Sequence, residues 1–296
     1  MMNLIDHGQR DFDQICRDFK WRIPQRFNLA IDVCDRHVAR GLGDRIALYF
    51  EARNGNTREV TFGELKSLSD RFANALRGLG IERGDRVAII LPQRLEAAIA
   101  HLAIYKLGAI ALPLAKLFGP DAVRYRLENS GTRLVITDGS HMDMLLELAS
   151  ELPALETILN CDLERGRESF WAALTRGADD IEVVDTSSED PALLIYTSGT
   201  TGPPKGALNA HRCLLGTLTG FEMSHNFYPK PGDLLYTPAD WAWAGGLLDG
   251  LLPGLHFAVP VVGYEGGKFD PEHCLHLMGR YQVRNTFLPP TAMRMM

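Results

Sequence analysis

Tyr196 to Ala207 reads YTSGTTGPPKGA: three glycines, two prolines, three threonines, one serine and one lysine in twelve residues, opening on the last residue of the apolar run ALLIY. An ordinary turn needs one or two such residues. A chain leaving a buried strand through glycines at 199, 202 and 206 can adopt φ > 0 and carries no Cβ to hold a ligand away. Backbone N–H groups in such a loop can converge on an anion. The hydroxyls of Thr197, Ser198, Thr200 and Thr201 add donors, and Lys205 adds a point positive charge. Pro203 and Pro204 donate nothing but fix the chain that carries the lysine. Polyphosphate is the guest that this chemistry fits.

The other phosphate-binding pattern, G-x-x-x-x-G-K-[ST], fails because Gly206 follows Lys205 where a magnesium-holding hydroxyl is required. A flexible Gly/Ser/Thr linker accounts for the glycines, but not for a lone lysine behind two prolines just past a buried strand.

Upstream, TFGELKSLSDRFANALRGLG (61–80) places Thr61 and Glu64 in capping-box spacing, repeats apolar residues at helical intervals and closes on glycine. RVAIILP, GAIALPL and RLVITD then read as buried strands, alternating with helices over RLEAAIAHLAIYKL and PDAVRYRLENS. This alternation predicts an α/β fold with mostly parallel sheets covered by helices. Residues 164–190 are charge-rich and contain RGADD and DTSSEDP, which predicts a junction. The expected division is an extension over 1–29, a first α/β subdomain over 30–185 and a second, incomplete one over 186–296 that carries the loop. In the second, ALLIYT, DLLYTP, HFAVPVV and VRNTFLP read as strands. Helices are expected after His211, through GGLLDGLL, and from Asp270-Pro271-Glu272. NTFLPPTAMRMM starts a helix and stops without cap or polar tail, so a partial chain is expected.

The 296 residues are 46% hydrophobic and 23% charged with a formal charge of -6, which predicts a soluble globular protein of about two domains. The acidic balance and the absence of a Lys/Arg run disfavour nucleic acid and favour small-molecule partners. The five cysteines form no C-x-x-C pair, as expected of reduced thiols in a cytoplasmic protein. The N-terminus interleaves charge from Asp6 onward and lacks a signal peptide's apolar run. The most apolar stretch, LGAIALPLA, is far short of the roughly 20 residues of a membrane span. A homo-oligomer is compatible with the sequence.

YTSGTTGPPKGA resembles the phosphate-loop signature of the adenylate-forming (AMP-binding) superfamily, which includes acyl-CoA synthetases, luciferases and peptide-synthetase adenylation domains. VTFGELKSLSDRFANALRGLGIERGDRVAIILP, YKLGAIALPLAKLFGPDAVRYRLENSGTRLVITD, LLYTPADWAWAGGLLDGLLPGL and NTFLPPTAMRMM extend the similarity over about residues 30 to 296, and ADWAWAGG and PPTAMR look most like acetyl-CoA and medium-chain acyl-CoA synthetases. The resemblance implies the large N-terminal domain of such an enzyme and a two-step reaction. A carboxylate first displaces pyrophosphate from ATP, with Mg2+, to give an acyl adenylate. The thiol of coenzyme A then displaces AMP. Carried over residue by residue, Thr197, Ser198, Gly199, Thr200, Thr201 and Gly202 would cradle the β- and γ-phosphates, with Lys205 as charge support.

The resemblance also places PADWAWAGGLL beside the acyl site, with Trp243, Ala244 and Gly245 as pocket residues and Trp241 as a further candidate. An aromatic wall with small neighbours suits an apolar acyl group, and Ala244 and Gly245 leave room for a medium-chain or aromatic acid. The plainer reading is that the tryptophans pack the core, that Asp240 caps a helix and that His211 packs or caps. His225, His256, His273 and His276 show no metal-ligand spacing, and no metal site is expected. Full-length members are nearly twice as long. The implied adenine-stacking segment, the ribose-binding aspartate, the hinge and the C-terminal lid with the catalytic lysine would all lie beyond residue 296, so no catalytic residue is expected in this portion. The alternative is a non-catalytic truncated adenylation domain that acts at most as a nucleotide- or partner-binding module.

Overall fold

The computed structural model describes residues 8, 11–197 and 202–296. The chain runs through α1 (Phe12–Asp18), a π-helical turn at Ile31–Asp35, α2 (Arg36–Ala39), the β1 (Ile46–Glu51) and β2 (Thr57–Thr61) hairpin, and α3 (Phe62–Gly78). A regular alternation follows: β3 (Arg86–Ile90), α4 (Leu95–Lys106), β4 (Ile110–Pro113), α5 (Pro120–Ser130), β5 (Leu134–Thr137), α6 (Met142–Ala149), β6 (Thr157–Asn160) and α7 (Phe170–Arg176). Then come β7 (Pro191–Thr197), β8 (Lys205–Ala210), α8 (Cys213–Ser224), β9 (Leu235–Tyr236), α9 (Ala244–Gly246), a π-helical turn at Leu247–Leu251, and α10 (Leu252–His256). The last elements are β10 (Val261–Tyr264), α11 (Pro271–Arg280), β11 (Asn285–Thr286) and α12 (Pro290–Met293).

Among the described residues, two mixed sheets form. One has the order β6-β5-β3-β4-β7-β8 and the other β11-β9-β10-β1-β2. Pairing is parallel except at the edges, where β8 runs against β7 and β2 against β1. Both sheets draw strands from either side of residue 186, so the division expected there does not separate two sheets. The physical reason lies in β4: all four of its residues are buried, so its second edge needs a partner, and β7 supplies one through Ala111 and Leu193. The charge-rich stretch is also bound into the first unit, where Val184 N donates to Lys106 O (2.8 Å), and to the expected extension, whose Phe27 N donates to Thr186 O (3.0 Å). Leu29, within the expected extension, is itself fully buried in the core.

Local signals hold closely. Thr61 Oγ1 caps α3 by accepting from Glu64 N (3.1 Å), and Gly80 takes φ 85 just beyond its end. The capping box is only half made, because the Glu64 carboxylate pairs with Arg58 instead of reaching back. Asp270 caps α11, and α5 opens on Pro120 and ends on Gly131 at φ 60. HFAVPVV departs from expectation. His256 still belongs to α10, Ala258 turns with φ 55, and the strand starts only at Val261, after Pro260, which has no N–H to give to a ladder.

Every residue of α4 is buried, so this helix is core on all faces. That places Lys106 inside, where its Nζ meets Asp70 Oδ1 (2.5 Å), Ser69 Oγ (2.9 Å) and Asp35 Oδ1 (2.9 Å). His101 on the same helix lies 3.0 Å from the Tyr105 hydroxyl. Burial lowers His37 to about 4, His101 to about 3 and His211 to about 4. An unfolded histidine titrates near 6.5, so between about pH 6.5 and 4 the unfolded chain binds the extra protons. Stability from these groups is therefore complete above pH 6.5 and is lost as the pH falls. Asp240, raised to about 6 by burial, opposes this over part of the range. Urea midpoints are expected to drop from pH 7 to pH 5; a flat profile would contradict the buried, neutral state of the three histidines.

Candidate functional site

β7 carries Thr197 to the end of its sheet and β8 returns antiparallel, with Thr197 opposite Lys205 and Tyr196 opposite Gly206. Ser198, Gly199, Thr200 and Thr201 lie outside the described residues. The loop they form is closed by a hairpin ladder, and a helix follows only at Cys213. Among the described residues, a Cβ built on Gly202 meets nothing within 4 Å. Lys205 is exposed and has no ion-pair partner among the described residues. At Gly206 the fit is tight, since a Cβ would lie 3.0 Å from Leu194 Cδ1 and 3.3 Å from Tyr196 Cζ. This glycine lets β8 cross directly over the Tyr196 ring.

The base of the loop is tied down by α5. Tyr125 donates from its hydroxyl to Pro204 O (3.0 Å), and Tyr196 from its own to Asn129 Oδ1 (2.6 Å). Arg126, almost fully buried, lies 4.1 Å over the Phe118 ring and 5.6 Å over that of Tyr196. Phe118 in turn meets Trp243 edge-on at 6.0 Å. A continuous line of rings and one guanidinium thus joins the loop to the second constellation.

That constellation follows β9. Gln93, buried after β3, donates from its amide nitrogen to Thr237 O (2.8 Å) and Ala239 O (2.7 Å), and its Oε1 accepts from Tyr264 N (3.2 Å). One side chain therefore fixes the turn against both sheets. Thr237 Oγ1 donates to Phe287 O (2.7 Å) and accepts from Ala239 N (3.0 Å). Asp240 does not cap α9, whose N-cap position is Trp243. Its Oδ1 accepts from Ala242 N (3.1 Å), and burial raises its carboxyl to about 6.

The four candidate pocket residues separate. Trp243 is 44% exposed and Ala244 is exposed, whereas Trp241 is 2% exposed and lies against β10 at Gly263. Gly245 sits under Phe287, and a Cβ there would be 2.8 Å from the ring. Gly246 is enclosed by backbone, with Asp240 O 2.2 Å from a built Cβ. His211 is a packing residue, fully buried, with Nδ1 accepting from Leu29 N (3.1 Å). Among the described residues no group of three His, Cys, Asp or Glu side chains is placed to hold a metal, and no helix is long and apolar enough to cross a membrane. Gln93, Phe118, Arg126 and Phe287 are the residues that motif reading missed. Phe118, Arg126 and Phe287 lie inside stretches that carry the family resemblance but are not singled out there, and only their spatial partners mark all four.

A family profile described as AMP-binding enzyme matches residues 35–296. An acetyl-coenzyme A synthetase of Streptomyces avermitilis is 32% identical, with 93% of this chain aligned to 45% of that protein. One from Bacillus subtilis is 31% identical, with 98% of this chain on 52% of its length. The crystal structure of an acyl-CoA synthetase from Brucella canis superposes with a TM-score of 0.81 at 28% identity, covering 97% of this chain and 52% of that one. The chain spans about half the length of the curated relatives that it matches.

Proposed function

The chain belongs to the AMP-binding enzyme family, and from that premise we propose that it is the phosphate- and acyl-binding portion of an ATP-dependent acyl-CoA ligase. The observation that supports this reading is the line Tyr196–Arg126–Phe118–Trp243, which joins the end of β7, where the glycine-rich segment begins, to the Trp243–Gly245 segment. In the reaction, a carboxylate oxygen attacks the α-phosphorus of ATP, the bond to the β-phosphate oxygen breaks, and pyrophosphate leaves. The thiol of coenzyme A then attacks the acyl carbon, and AMP departs. The main task of residues 197–205 is to hold and neutralise the leaving phosphates, since phosphoryl chemistry is catalysed mostly by position and charge. Thr197, Gly202 and Lys205 are the described members, and Ser198, Gly199, Thr200 and Thr201 complete the set. A magnesium ion would be carried chiefly by the phosphates and would share their charge.

Trp243, Ala244 and Gly245, with Phe287 behind, form the proposed acyl wall, while Trp241 supports it from inside. The small residues favour a medium-chain or aromatic acid over acetate. A thioester panel on the intact enzyme with acetate, butyrate, octanoate, benzoate and a long-chain acid tests this. Turnover highest with octanoate or benzoate is expected, and turnover with acetate alone would overturn the substrate reading. For the 296 residues by themselves, ATP–pyrophosphate exchange near background is expected, because phosphate contacts without adenine and ribose contacts leave the reactants poorly held. Robust exchange by the isolated polypeptide would refute this.

A further inference from the structure

We propose that the cleft at the carboxyl ends of β1, β9 and β10 is a second ligand site, taking a small organic anion with an aromatic or apolar body. Open sheets with parallel strands present their ligand crevices at this end. The cleft has a volume of about 330 Å3, within the usual range for a small-molecule site. It lies beyond the turn that carries the proposed acyl wall and contains none of Trp243, Ala244 and Gly245.

Its inner wall is rigid, because Gln93 spends both ends of its amide on Thr237, Ala239 and Tyr264. Tyr264 and Phe269 supply the apolar surface. The His273 ring lies 4.3 Å from that of Tyr264, tilted by 32°, and its Nε2 is buried with no hydrogen-bond partner among the described residues. A buried imidazole nitrogen without a partner calls for a bound group that supplies one. At the mouth stand Arg53 and Lys268, both exposed and neither ion-paired among the described residues. The Arg53 guanidinium lies along the Gly267 backbone, 3.6 Å from where a Cβ would be.

The two carboxylates that line the cleft are already engaged. Asp270 accepts from Glu272 N (3.0 Å) and His273 N (3.3 Å) as the cap of α11, and Asp240 accepts from Ala242 N (3.1 Å). Both carboxylates keep their charge but are turned toward backbone N–H groups, which leaves Arg53 and Lys268 as the lining cations without an ion-pair partner among the described residues. A carboxylate or phosphate monoester would meet Arg53 and Lys268, its body would lie against Phe269 and Tyr264, and His273 would donate to it from Nε2.

Benzoate and phenyl phosphate are suitable probes, with benzyl alcohol as the uncharged control. Binding is followed by calorimetry and by the His273 ring resonances, assigned through their loss in His273→Gln. Saturable binding of at least one anion that shifts those resonances is expected, with no response to benzyl alcohol. Arg53→Ala/Lys268→Ala changes only exposed side chains and is expected to weaken binding ~10-fold or more, as two charge-assisted contacts are removed. Lys205→Ala in the phosphate loop is expected to leave it unchanged. Absence of saturable binding by both anions, an unaltered affinity in the double variant, or loss of binding in Lys205→Ala would each overturn the assignment.

Discussion

Lys106→Met is expected to destabilise the protein by ~3–5 kcal/mol, read as a lower urea midpoint at unchanged slope. Lys106 is fully buried, and its ammonium is shared by Asp70, Asp35 and Ser69. Methionine fills a similar volume, so little packing is lost. What remains is the cost of carboxylates left inside the protein without their cation. The Asp35 side chain is only 13% exposed, and this burial raises its carboxyl above the ordinary range. Lys66 still reaches Asp70 Oδ2 (2.5 Å) and relieves part of the loss. Adding Asp35→Asn and Asp70→Asn to Lys106→Met is therefore expected to restore much of the stability, because neutral amides are cheaper to bury than orphaned charges. If the single variant is as stable as the parent, the buried network is not a determinant of the fold.

Gly246→Ala is expected to cost more than ordinary overpacking, which runs at ~1–3 kcal/mol. The added Cβ would sit 2.2 Å from Asp240 O and 2.6 Å from Ala239 O, both backbone atoms held by the turn after β9. Gln93 fixes that turn through Ala239 O, so the strain passes to Trp243 and Ala244. A changed tryptophan emission is expected along with the lower midpoint. Gly216→Ala in α8 is the control: a Cβ there meets nothing within 4 Å, and alanine should gain up to ~1 kcal/mol as the better helix former.

These two residues also mark the limit of sequence reading. The Thr61 cap and the buried strands were legible because each is a local pattern of a few residues. Lys106 looks like a basic residue in the last turn of a helix, and nothing nearby reveals that Asp35 and Asp70 neutralise it. Gly246 is one of two adjacent glycines, and only the fold shows which of them faces backbone and which faces the Phe287 ring. Strand order was equally hidden. Apolar runs predict β4 and β7 as buried strands but not that they pair with each other, and β1, which joins β10, is not read as a strand. Those choices depend on contacts between residues far apart in the chain. Gln93, Arg126 and Phe118 were missed for the same reason.

The account turns on residues 197–205 gripping the phosphates that leave during acyl activation. Its most direct test is calorimetric titration of the 296-residue chain with pyrophosphate at low ionic strength, beside Lys205→Ala and Lys268→Ala. Saturable binding at one site is predicted, weakened ~10-fold or more by Lys205→Ala, as the loss of a charge-assisted contact requires, and untouched by Lys268→Ala. Pyrophosphate that fails to bind, or that binds Lys205→Ala as well as the parent chain, would contradict it.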